Sequence, residues 1–400
     1  MDEVFKKQIT KLNIYVALMS GMPVMPVAVL FFQSNGLSIT EIFILQAVYA
    51  FTIFILEIPS GYLADRLGYR VALLLSAFFT FVGMLIFIFL PSVLWLLIAE
   101  IVLGIGLSLY SGVPSSLLYE LAQKYNYTNE YIRFDAYQIG IASIFGAIGV
   151  LFSGLLAAYS LFVPFIVAAL LSLSACLCAL YLPNVYTDKS QDSKHNIVEL
   201  SKEIYKIIYL NKKVLGVIIY STILLAGLNI LNWIQQLYMI DIHLDVRFFG
   251  VLGFLVGISV MLFSNKLVYI RKHLDFRLIA IITIIMIVLA FMSIAIDIGI
   301  AALALMYVAY LMSIFVGSVF RNIVHSNTQS KIRATVLSVK NMISKILYIM
   351  AMSVLGYILD ILSLQTVSII ISIFITVVSF MAVWLMRGSK INTSTYGKKF

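Results

Sequence analysis

Apolar runs of about 20 residues, separated by short polar turns, recur from one end of this 400-residue chain to the other. A helix rising 1.5 Å per residue needs that length to cross ~30 Å of hydrocarbon. Twelve such runs are expected, near residues 12–32, 40–60, 71–90, 93–118, 136–158, 161–182, 214–238, 248–265, 278–296, 300–320, 335–360 and 365–386. Strands of a membrane barrel would be about half as long and would alternate in polarity. The pattern therefore predicts an all-α integral membrane protein with twelve transmembrane helices. Its longest polar interval divides the helices six and six. The expected organisation is an N-terminal six-helix half (1–182), a linker (183–213), a C-terminal six-helix half (214–386) and a polar tail (387–400). Within the linker, Ile197, Leu200, Ile204, Ile207 and Ile208 recur at helical spacing between charges, as in a helix lying on a membrane surface.

Composition narrows the class. Hydrophobic residues make up 62% of the chain and charged residues 11%, a ratio that would force large apolar patches onto a soluble surface. Of the 27 Lys and Arg, 24 fall on the side of the N-terminus; Lys340 and Lys345 lie within the eleventh run, and Arg247 is in an opposite-side turn. The positive-inside rule then places both termini in the cytoplasm, with the chain in the plasma membrane of a prokaryote. The +9 net charge is a topology signal, which argues against a nucleic-acid surface.

Chemistry on a bound substrate finds little support. Cys176 and Cys178 both sit within the sixth run, and His195, His243, His273 and His325 are scattered among separate turns. No metal-ligand spacing, catalytic triad pattern or phosphate-binding loop is visible. No cofactor, metal or enzymatic activity is expected.

Between the second and third runs stands Gly61-Tyr-Leu-Ala-Asp65-Arg66-Leu-Gly68-Tyr69-Arg70. This segment resembles the loop between helices 2 and 3 of major facilitator superfamily transporters, Gly-x-Leu-Ala-Asp-Arg-x-Gly-(Arg/Lys)-(Arg/Lys), with Tyr69 departing from it. The resemblance implies a carrier whose two halves rock about a central site. It also implies a cytoplasmic gate in which Gly61 and Gly68 permit a tight turn and Asp65 faces the start of helix 11, here near Arg333. Glu120 is the expected partner of Arg66 or Arg70, with Arg133 able to share it.

Four ionisable residues fall inside the apolar runs: Glu57, Glu100, Lys340 and Lys345. Inserting one charge near a helix centre costs ~2.5–3.5 kcal/mol, so each needs a partner or an aqueous cavity. Glu100 lies in Leu97-x-x-Glu100-x-x-Leu103-Gly104-x-Gly106, similar to the family's helix-4 pattern Leu-x-x-Arg-x-x-Gln-Gly-x-Gly, with a carboxylate in place of the Arg of proton-coupled members. It could bind a cationic substrate or exchange a proton. The resemblance makes helices 2 and 11 face each other across the halves. Glu57 and Lys340, at similar depth, are therefore expected to pair when the inside closes and to separate when it opens. Lys345, deeper, could replace the proton as counter-ion to an anionic substrate.

In the seventh run, Asn229, Asn232, Trp233 and Gln236 share one helical face, as do Tyr307 and Tyr310 in the tenth. The resemblance makes these six residues cavity walls, suited to an amphipathic solute that could be cationic. Pro23 and Pro26 should kink the first run. The family's export signature in helix 5, Gly-Pro-x-x-Gly-Gly, is degraded here to Gly149-Val150-Leu151-Phe152-Ser153-Gly154, and Gly146, Gly149 and Gly154 still allow close packing. The expected function is proton-coupled efflux of a drug, peptide antibiotic or metabolite by a monomeric carrier. A solute importer or a lipid flippase is the alternative, and a membrane-embedded enzyme fits less well.

Overall fold

The computed structural model describes residues 2–184, 212–273, 276–327 and 330–385, of which 212–214, 263–273, 276–277, 313–315, 318–327 and 330–339 are described by their backbone alone. The expected surface helix of the linker and the tail 387–400 lie outside the described residues. Before the linker run helices α1 (Glu3–Ser20), α2 (Ala28–Ser34), α3 (Ile39–Leu67), α4 (Tyr69–Phe89), α5 (Val93–Tyr110), α6 (Val113–Lys124), α7 (Tyr131–Ala157) and α8 (Val163–Ala179). After it run α9 (Lys212–Asp241), α10 (Val251–His273), α11 (Phe276–Ala295), α12 (Ala301–Asn327), α13 (Ser330–Ile361) and α14 (Leu364–Leu385). Among the described residues there is no strand, and nine helical stretches are long and apolar enough to cross a bilayer. Three shorter apolar stretches, Val163–Ala179, Val246–Leu262 and Ala301–Met312, stand between them in sequence.

Two of the expected runs are interrupted, and the local sequence explains both. Pro23 and Pro26 remove backbone donors, so α1 stops at Ser20 and the chain resumes through a 3-10 turn, Met25–Val27, into α2. The result is a full break where a kink is expected. The run at 93–118 breaks at Gly112, which takes φ +77° and hands the chain to Pro114 in the first turn of α6. By contrast, Pro59 is absorbed inside α3, which continues to Leu67.

The eight helices before the linker pack among themselves, as do the six after it, and contacts between these groups centre on α3 with α13 and α7 with α10. Hydrogen bonds identify the two faces of the assembly. On the N-terminal face, Tyr127 Oη accepts from the Asp2 backbone (3.0 Å) and Lys11 Nζ donates to the Tyr181 carbonyl (3.0 Å). On the opposite face, Tyr238 Oη donates to Asp297 (2.9 Å) and Gln365 Nε2 to Asp241 (3.4 Å). Phe31, Phe87 and Phe165 pack ring against ring in one core, while Phe5 stacks on Tyr127 in a second core near the N-terminal face. Many large apolar side chains, Leu94, Ile132, Phe374, Phe380 and Trp384 among them, point outward, as a lipid-facing exterior requires.

The two groups are closely sealed toward the opposite face. A methyl added to Gly250 would overlap the carbonyl oxygen of Val150, and one on Gly154 would overlap that of Val246. A methyl on Gly356 would lie 2.7 Å from Cβ of Phe43 and 3.1 Å from Cα of Thr40. The stretch from Gly149 to Gly154, the degraded export signature, thus forms one wall of this seal.

Candidate functional site

A cavity of about 300 Å³ opens where the broken first helix, α3, α4, α5 and α9 converge. Its wall is largely Met, Leu and aromatic, and its lining contains one charged residue, Glu100. Glu100 is only 4% exposed, and Gln46 Nε2 on α3 donates to its Oε1 at 2.9 Å. Neither of the ion pairs found among the described residues involves it. A carboxyl group held this way, buried and facing a cavity without a cation, is equipped to take a proton or a cationic ligand from that cavity.

The helix group after the linker contributes Trp233 to this lining. Its indole N–H donates to Tyr348 Oη on α13 at 2.9 Å, which fixes the ring. One turn further along α9, Gln236 Oε1 accepts from the backbone N–H of Val29 at 3.1 Å. The break at Pro26 leaves the first N–H groups of α2 without intrahelical acceptors, and Gln236 satisfies one of them from the other helix group. The same stripe of α9 continues toward the N-terminal face through Asn232, whose carbonyl accepts from Gln236, to Asn229, which is exposed.

Nearer the N-terminal face, Glu57 of α3 and Lys345 of α13 form an ion pair, with Nζ 2.6 Å from Oε2 and side chains 36% and 28% exposed respectively. In this conformer Glu57 meets Lys345, whereas the expected Glu57–Lys340 pair belongs to closure of the N-terminal face. Five residues turn a helix by roughly 140°, so the two lysines face different ways, and α13 is oriented with Lys345 toward α3. Lys345 is therefore already engaged here, which differs from its expected role as a counter-ion for an anionic substrate. Lys340 Nζ reaches Asn341 Oδ1 at 3.5 Å.

Comparison with known proteins assigns this arrangement to a family. The model of the Major Facilitator Superfamily matches residues 12–352. The chain belongs to that superfamily. It is 22% identical over 254 residues to an uncharacterized MFS-type transporter, YxaM, of Bacillus subtilis (strain 168), a match covering 62% of this chain and 63% of that relative's length. The solved structure of the nucleoside transporter NupG superposes with a TM-score of 0.79 at 17% identity, covering 97% of this chain and all of the other. A POT family transporter in complex with 5-aminolevulinic acid gives 0.61 at 15% identity, over 96% and 95% of the two chains. At these identities the structural likeness establishes the fold.

The segment from Gly61 to Arg70 takes a specific form here. Gly68 adopts φ +90° at the junction of α3 and α4, a conformation that favours glycine. Gly61 is different: it lies within α3, seven residues before the turn, with open space around its Cα. Asp65, in the last turn of α3, accepts from Tyr69 Oη at 3.3 Å, so the residue that departs from the motif binds its acidic member. Asp65, Arg66 and Arg133 are exposed and Arg70 and Glu120 half-buried, and among the described residues no ion pair joins Glu120 to Arg66, Arg70 or Arg133. That differs from the expected partnership, which needs the N-terminal-face ends of these helices drawn closer. Arg333 falls in the backbone-only part of α13, which starts at Ser330 and places it in the first turn.

Of the six expected cavity walls, Trp233 alone lines this cavity. Tyr310 Oη donates to Gln235 Oε1 at 2.8 Å, and Tyr307 pairs with Ser259, so both hydroxyls serve contacts within their own helix group. The sequence reading passed over Gln46, Tyr49, Tyr348 and Asp360. Gln46 was detectable as a lone amide in an apolar run, and Asp360 as an acid at a helix end.

Proposed function

We propose that this protein is a secondary active carrier that exports a small amphipathic solute by alternating access, in exchange for protons. The observation that carries the reading is Glu100: a buried carboxyl group with no cationic partner among the described residues, facing a cavity walled by both helix groups. Proton and solute can occupy such a group alternately, and alternate occupancy of one site is a direct means of coupling two fluxes. Glu57 is a second candidate for proton transfer. Its pairing with Lys345 crosses the interface that must open and close, so it is also suited to report conformation.

The charge asymmetry of the turns orients the carrier with both termini in the cytoplasm. On that orientation the conformer is sealed to the outside by α3 with α13 and α7 with α10, and its gate residues Asp65, Arg66, Arg70, Glu120, Arg133 and Arg333 belong to the cytoplasmic end. Two six-helix halves, 1–182 and 214–386, would rock about the cavity as a monomer in the plasma membrane, joined by the linker 183–213. Lys340 would join the cytoplasmic gate as the halves close there. Asn229, Asn232, Tyr307 and Tyr310 would line the path once the halves separate.

The test is intracellular accumulation in an efflux-deficient host, comparing wild type with Glu100→Gln across cationic dyes, neutral drugs and peptide antibiotics. Lower accumulation in wild type, abolished both by a protonophore and by the substitution, is the expected result. Higher accumulation in wild type would make the protein an importer, and an effect that persists in the protonophore would remove proton coupling.

A further inference from the structure

We infer that the solute carries a protonated amine, or another cationic N–H group, on a compact apolar body, and that Glu100 receives that group. This rests on the carrier reading above and narrows it, because the charge in the cavity's lining is one-sided. Its lining contains no Lys, Arg or His. The indole N–H of Trp233 is committed to Tyr348, the hydroxyl of Thr80 donates to the Ser76 carbonyl at 2.9 Å, and one N–H of Gln46 is committed to Glu100. The hydroxyls of Tyr49 and Tyr110 also line the cavity. Glu100 is the charged group in this lining, and its carboxylate is the strongest acceptor there. The second oxygen of Glu100 accepts from no group among the described residues, and it is absent from the fully buried atoms that lack a partner, so it opens to the cavity.

A solute bearing a carboxylate or phosphate would bring further acceptors to this carboxyl group and meet no cation. A sugar or nucleoside would need several donors and acceptors in return and would find few. A cationic N–H supplies both the donor and the charge that Glu100 lacks, in the strong, charge-assisted form of hydrogen bond. Phe32, Tyr49, Tyr110 and Trp233 add aromatic surface of the kind that attracts cations, and with its N–H engaged elsewhere Trp233 presents only its ring. Met19, Met22, Met25 and Met84 give the body of the solute an adaptable apolar wall. The volume, about 300 Å³, is at the lower end of ligand pockets. That favours a compact cage or one to two rings over a peptide antibiotic or a large chelator.

The experiment uses full-length protein in nanodiscs with Trp95→Phe and Trp384→Phe, both exposed positions away from the cavity, which leaves Trp233 as the sole indole. Four probes share one non-absorbing cage: 1-adamantylamine, its N,N,N-trimethyl derivative, 1-adamantanol and adamantane-1-carboxylate. Trp233 emission is titrated with each. The expected order is amine tightest, quaternary ion next, alcohol weaker than the amine by about tenfold, and carboxylate without saturable effect. Glu100→Gln should erase the preference for amine over alcohol, and Glu100→Asp should retain it. Equal binding of amine and alcohol, tightest binding of the carboxylate, an unchanged preference in Glu100→Gln, or no saturable response to any probe would each overturn the assignment. A carrier of neutral solutes would pass the accumulation test above and fail this one, so the two ideas fail separately.

Discussion

Asp360, in the last turn of α13, caps the start of α3 from the other helix group: its carboxylate accepts from the backbone N–H groups of Ile39 (3.2 Å) and Thr40 (3.1 Å) and from Thr40 Oγ1. Ser38 and Glu41 already form a reciprocal capping box there, so Asp360 takes donors the box leaves open. The contact closes the same interface as Glu57 and Lys345, near its other end. Removing a helix cap costs about 1 kcal/mol, which shifts a two-state equilibrium roughly fivefold. Asp360→Ala should therefore populate the conformer open on the opposite face about fivefold more. Thiol labelling of a cysteine placed at Phe43, which is buried against Gly356 in the closed interface, in a background without Cys176 and Cys178, reads that population. Unchanged labelling would mean that the cap follows closure without stabilising it.

Glu57 and Lys345 are each about a third exposed, so solvent screening limits their pair to about 0.5–1 kcal/mol. Glu57→Gln and Lys345→Gln should each slow transport two- to fivefold. The double variant should be little worse than either single one, because the second substitution removes a partner already lost. Lys340→Gln combined with Glu57→Gln should be additive. A complete double-mutant cycle on initial rates separates the two lysines, and coupling to Lys340 in place of Lys345 would contradict the observed pair.

Glycines along α7 and α10 test whether the seal must re-form in each cycle. Gly250 has no room for a methyl against Val150, whereas Gly140 and Gly61 have open space. Gly250→Ala should depress transport at least tenfold while leaving insertion intact, since the substitution obstructs closure without burying a polar group. Gly140→Ala and Gly61→Ala should remain within about twofold of wild type. Transport rates normalised to membrane protein content make the comparison.

The sequence made helix content, approximate boundaries and the membrane setting visible, because a 20-residue apolar run has few physical alternatives. It also picked out Glu100 and Trp233, since a charge in an apolar run must be accommodated and an indole among amides implies a polar face. Depth along a helix is readable from sequence, but azimuth is not. Lys340 and Lys345 are about 7.5 Å apart in rise yet face different ways, and only packing decides which meets Glu57. Gln46 escaped notice for a related reason: its importance lies in the partner it finds on α5, 54 residues away. The capping role of Asp360 depends on a contact spanning 320 residues, beyond any local pattern.

Asp65 offers a last separation of roles. In this conformer it accepts a hydrogen bond from Tyr69, four residues on, and has no ion pair among the described residues. If its main service were to hold the α3–α4 turn, Tyr69→Phe and Asp65→Asn would impair transport alike, because each weakens the same bond. If Asp65 acts as the superfamily's gate, its charge matters when α13 approaches, where an anion near a helix N-terminus gains about 0.3–1 kcal/mol. Asp65→Asn should then slow transport severalfold with normal membrane insertion, while Tyr69→Phe stays near wild type. Initial rates for the two variants at matched expression decide between these services, and equal defects would assign Asp65 to the turn.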